Sequence, residues 1–137
     1  MSPREIVERA LTAMVYDDPT TAIGLMADDI VYTNVGLPTV HGKSAAAWIF
    51  SLLDRPALGF NVKLLNVTAD GNVVMTERID ELRLGRMRTQ FWAFGRFVVV
   101  DGKITVWRDY FDFVNVTIGI VKALVSLVFP RAVTPLR

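Results

Sequence analysis

The chain has 137 residues, with 15 Lys+Arg against 14 Asp+Glu, one histidine and no cysteine. That length suits one domain, spanning residues 1–137, with a real core, and a net charge of +1 argues against an extended nucleic-acid-binding face. The missing cysteines exclude disulfides, thiolate catalysis and zinc–cysteine or iron–sulfur sites, and a lone histidine excludes a multi-histidine metal site within one chain, so no metal site of these kinds is expected.

Ser2 and Glu5 have capping-box spacing, with Pro3 at the first helical position. Ile6, Val7, Ala10, Leu11 and Met14 then recur at helical spacing, and Asp17-Asp18-Pro19 ends the helix. No apolar run follows a basic start, so the N-terminus does not read as a secretory signal and a cytoplasmic location is expected. A short helix over 20–26, a strand over 30–34, a loop holding Gly36 to Gly42 and a helix over 44–53 follow, the last stopped near Arg55-Pro56. Strand patterns cover 60–68, 72–84, 87–100 and 103–112, and Asp70-Gly71 and Asp101-Gly102 mark hairpins. Helices first and a meander afterwards predict an α+β fold with a largely antiparallel sheet.

The tail, about 114–129, is a helix that is apolar on nearly every side, with Lys122 inside it. It is too short to span a membrane. A pocket lid, a subunit contact, ordinary core and a weak membrane-surface contact are the readings open to it.

Side chains i and i+2 share a face of a strand. By that rule Tyr32 joins Asn34, Arg78 joins Asp80 and Leu82, and Asp109 joins Thr105, Trp107 and Phe111, while Glu77 and Glu81 take the opposite, solvent-facing side. Ionisable groups in such apolar rows must satisfy one another. They form either a structural ion pair or an acid–base pair that works on water. In the second case one carboxylate takes a proton, the other gives one, and an arginine between them makes the pair titrate as a unit. His41, beside Gly42 in a loop, is expected to be structural or solvent-facing.

The runs Val31-Tyr32-Thr33-Asn34, Thr76-Glu77-Arg78-Ile79-Asp80 and Ile104-Thr105-Val106-Trp107-Arg108-Asp109-Tyr110-Phe111-Asp112 resemble the limonene-1,2-epoxide hydrolase family, from about Ile6 to Asp112. The tail is most similar to mycobacterial members that take bulky lipid or sterol epoxides. The resemblance implies a strongly curved mixed sheet with helices closing a cone-shaped pocket, of the NTF2-like or SnoaL-like kind, and a homodimer. It implies a one-step addition of water to a hydrophobic epoxide, giving a vicinal diol. Asp109 would be the general base, holding water with Tyr32 and Asn34. Asp80 would be the general acid, and Arg78 would bridge the two. Trp92, Phe94, Leu82 and Trp107 are the expected substrate-contacting walls. Two alternatives stay open: proton transfer of the ketosteroid-isomerase type, and a non-catalytic lipid- or sterol-binding module.

Overall fold

The computed structural model describes residues 1–16, 18–53, 55 and 57–136. The expected breakers Asp17 and Pro56 lie outside the described residues. Helix α1 (Pro3–Val15) opens as the capping box requires. The Ser2 hydroxyl accepts from the Glu5 amide at 3.2 Å and donates to the Glu5 carboxylate at 3.1 Å. Its apolar face, Ile6, Val7, Ala10, Leu11 and Met14, is buried. Helix α2 (Pro19–Gly24) is capped by Asp18, whose side chain accepts from the Thr21 amide.

Strand β1 runs Met26–Asn34, four residues earlier than its pattern suggests. Its ladder with the last strand is irregular between Met26 and Val31, and Asp28 and Asp29 sit exposed in that stretch, so the acidic pair mimics a strand boundary. A two-residue strand β2 (Val40–His41), unforeseen in the expected loop, pairs with β1 and leaves His41 exposed. Helix α3 (Lys43–Leu53) follows, then β3 (Leu58–Asp70), β4 (Val73–Leu84), β5 (Met87–Val100), β6 (Lys103–Phe111) and α4 (Phe113–Val125).

The six strands form one sheet in the order β2-β1-β6-β5-β4-β3. Only β1 and β6 pair in parallel; the other neighbours are antiparallel. Asp101 and Gly102 both adopt positive φ, 50° and 76°, and make the tight β5–β6 turn between Val100 and Lys103. Just past it the ladder slips. Val99 faces Ile104 and Val98 faces Val106, so Thr105 is an unmatched extra residue, a β-bulge whose hydroxyl donates to the Val98 carbonyl.

The sheet curls around α1, which packs on β3 to β6, while α3 covers β1. The core between them includes Met26, Ile30, Phe50, Val74, Phe97 and Ile104. Helix α4 ends at Val125, short of the expected residue 129, and the Ser126 hydroxyl donates to the Ala123 carbonyl. It lies along the edge of β5 beyond the end of β6. There the Trp92 amide, which β6 no longer reaches, donates to the Asn115 side chain at 2.8 Å. Among the described residues no helix is long and apolar enough to cross a membrane.

Glu77 takes the polar face as expected and accepts from the Asn66 side chain. Glu81 does not reach solvent. Its side chain is fully buried beneath the C-terminal segment, accepting from Arg88 at 3.1 Å, from Gln90 at 2.7 Å and from the Leu136 amide at 3.4 Å. The expectation failed because the cover comes from residues 55 positions away in the chain.

Candidate active site

Arg78 and Asp80 are two residues apart on β4, and both point into the concave face. Arg78 is 1% exposed and Asp80 5%. The guanidinium grips Asp80 as a fork, Nε donating to Oδ1 at 2.8 Å and Nη2 to Oδ2 at 2.9 Å. The same Nη2 lies 3.0 Å from Oδ1 of Asp109 on β6. One buried cation thus joins two buried carboxylates across the sheet.

The parallel β1–β6 ladder supplies the rest. It sets Asn34 opposite Asp109 and Tyr32 opposite Trp107. The Asn34 amide donates to the Tyr32 hydroxyl at 3.2 Å, which leaves the phenolic proton and the Asn34 carbonyl oxygen available to a small polar molecule. Trp107 Nε1 is 3.2 Å from each oxygen of Asp109. Asp109 Oδ1 is therefore held from two sides, and Oδ2 by the indole alone, so Oδ2 keeps lone-pair capacity for a proton.

Burial pushes the Asp109 carboxyl above the usual carboxylate range. Arg78 opposes this, the charge of Asp80 reinforces it, and hydrogen bonds from Arg78 and Trp107 oppose it again. Desolvation works against the Arg78 charge, but the two aspartates outweigh it and hold the guanidinium protonated. Burial, aided by Asp109, raises the Tyr32 phenol, which therefore stays neutral and can donate. The arrangement holds a base with a raised pKa, a second carboxylate tied to it and a neutral donor pair in one place. That is the equipment of acid–base chemistry on water.

These groups line a cavity of about 280 Å³. All five expected polar residues line it, as do Leu82 and Trp107. Its other walls are apolar: Leu11 and Met14 from α1, Ile49 and Phe50 from α3, and Phe91 and Phe111 from the sheet. Tyr32, Phe50 and Trp107 meet edge to face at 5.2–5.9 Å, which fixes the indole and phenol orientations. Among the described residues no cluster of three His, Cys, Asp or Glu is placed to hold a metal ion.

Trp92 and Phe94 do not line this cavity, contrary to expectation. They lie on the opposite face of β5, 51% and 53% exposed. The Thr105 bulge is the reason. Without it, counting back from the Val100–Lys103 turn would set Phe94 against Asp109; the extra residue sets Gly95 there instead and reverses the face. It also removes Thr105 from the row of Trp107. Phe91 takes the wall position that simple alternation assigned to its neighbours. A signal for it existed: the two-residue Gly85-Arg86 turn pairs Leu84 with Met87, and counting from there puts Phe91 opposite Asp80. Leu11 and Met14 read as ordinary core in the sequence and serve as both core and wall. No α4 residue lines the cavity; Phe113, the first of that helix, packs behind the wall residue Phe111 at 5.2 Å.

A structure of a Mycobacterium tuberculosis LEH-like epoxide hydrolase superposes with a TM-score of 0.93 at 40% identity, covering 98% of this chain and 95% of that one. The epoxide hydrolase EphG of M. tuberculosis is 42% identical over 124 residues, 90% of this chain and 83% of its own length. An NTF2-like protein from Cytophaga hutchinsonii shares the fold, with a TM-score of 0.66 at 17% identity, covering 82% of this chain and 91% of that one. The family model described as the limonene-1,2-epoxide hydrolase catalytic domain matches residues 1–122. With the family model matching most of its length and a relative 42% identical over 90% of it, the chain belongs to the limonene-1,2-epoxide hydrolase family.

Proposed function

We propose that this epoxide hydrolase opens a compact hydrophobic epoxide in one step, without a covalent enzyme ester. The observation that carries the reading is the Asp80–Arg78–Asp109 bridge in the wall of a largely apolar cavity. Asp109 takes a proton from a water that Tyr32 and Asn34 orient. The water oxygen bonds to a ring carbon while the carbon–oxygen bond of the epoxide breaks. Asp80 gives a proton to the departing ring oxygen, so the product is a vicinal diol. The enzyme then resets by returning the proton from Asp109 to Asp80. Arg78 keeps its charge throughout and ties the two carboxyls together.

The cavity is at the small end of ligand pockets, which run about 300–1,000 Å³. That supports a terpene-sized epoxide, or the epoxide-bearing end of a longer fatty-acid or sterol substrate. Turnover of a panel of such epoxides in heavy-oxygen water tests the scheme. The label is expected in the diol and not in the protein; a labelled aspartate after a single turnover defeats it.

The same reading includes a homodimer. Trp92 and Phe94 on β5, Val121 and Val125 on α4, and Val128 and Phe129 beyond it are exposed apolar side chains of the kind a second copy would cover. Sedimentation at micromolar concentration distinguishes this from a monomer.

A further inference from the structure

We propose that Gly95 is a positioning residue for the reaction: its missing side chain is the notch through which Arg78 crosses from β4 to Asp109 on β6. This rests on the reading of Arg78 as the bridge between two working aspartates.

Arg78 and Asp109 are not on neighbouring strands. β5 lies between them, so their backbones are two strand spacings, about 10 Å, apart. The pairing is Thr76 to Gly95 to Asp109 in one row, and Arg78 to Ala93 to Phe111 in the next. The guanidinium therefore passes diagonally over the concave face of β5, where the residues beneath it are Ala93 and Gly95. Any ordinary strand residue there would fill its path.

Gly95 is the tighter of the two positions. A β-carbon added to it would lie 2.7 Å from Arg78 Nη1, 2.8 Å from Thr76 Oγ1 and 2.6 Å from Phe97 Cε1. Its backbone is not among those with positive φ, so no turn or left-handed conformation calls for glycine. A glycine inside a central strand weakens the strand and marks a place where something approaches closely. Here the approaching group is the buried cation, whose Nη1 also faces the Thr76 hydroxyl at 3.5 Å. The bulge at Thr105 is what brings Gly95, rather than Phe94, into this row.

The test compares Gly95→Ala, Arg78→Gln and the double variant with the parent enzyme. Parent turnover of an epoxide reports on the proposed function, and its absence would overturn that reading alone. Carbon-13 NMR titration of the Asp109 carboxyl needs no substrate and reports on the notch. Gly95→Ala is expected to fold, to lower kcat by about tenfold or more with KM within about twofold, and to move the Asp109 titration and the acid limb of the pH–rate profile upward. Adding Gly95→Ala to Arg78→Gln is expected to change the titration no further. A folded Gly95→Ala that matches the parent in turnover and titration overturns the proposal. So does an effect that persists undiminished without Arg78. If Gly95→Ala does not fold, adding Phe97→Leu relieves the aromatic part of the crowding and leaves the guanidinium part. Failure of that chain to fold as well would assign Gly95 to sheet packing and overturn the proposal.

Discussion

The indole nitrogen of Trp107 sits midway between the two oxygens of Asp109, 3.2 Å from each. Two residues apart on β6, the pair shares the concave face, and Tyr32, Phe50 and Phe97 pack around the indole. Trp107 therefore aims the carboxylate and favours its ionised form, against the burial that disfavours it. Trp107→Phe keeps a ring in the packing and removes the N–H. The acid limb of the pH–rate profile is expected to move up, and kcat to fall by about tenfold. Unchanged pH dependence in the folded variant would show that the indole is only a wall.

Asp109→Asn should abolish turnover and raise stability at neutral pH. Folding raises the carboxyl's pKa, through burial first and the charge of Asp80 next. The stability of such a group is fully present below its unfolded value and is lost as pH rises through the folded value. Asparagine has no charge to bury, so at pH 7–8 its melting temperature should exceed the parent's by about 3 °C. The gain should vanish in acid, where the parent's carboxyl is neutral too. Thermal melts across pH 4–8 check the sign.

Phe91 and Trp92 are adjacent in sequence and opposite in face. Phe91→Ala opens the apolar wall beside Asp80 and is expected to raise KM by about tenfold for a compact epoxide. Trp92→Ser should leave kcat and KM of the folded enzyme near the parent's while weakening the proposed homodimer. Steady-state kinetics beside sedimentation reads both.

Glu81→Gln should loosen the C-terminal segment without touching the chemistry. The buried carboxylate accepts from Arg88, Gln90 and the Leu136 amide, and an amide presents a donor where acceptors are needed. A loss of about 1–3 kcal/mol is expected. Hydrogen exchange at Leu136 should quicken while kcat stays within about twofold of the parent's. Slow exchange in the variant would argue against the clamp.

Local rules were enough for much of this protein. The Ser2–Glu5 box, the helix periodicity and the Asp101-Gly102 turn are short-range signals, and the elements they predict are present. Within one strand, alternation put Arg78 with Asp80 and Tyr32 with Asn34, because that pairing depends only on backbone pleat. What crosses between strands was decided by the tertiary structure. The parallel docking of β1 on β6 brings Asn34 to Asp109 through residues 75 positions apart, and no local pattern encodes that register. The bulge at Thr105 adds one residue to one side of a ladder, and one residue is enough to exchange the two faces of β5. Trp92 and Phe94 turn outward for that reason, Gly95 opens the path for Arg78, and Glu81 disappears under a chain end that only folding brings near.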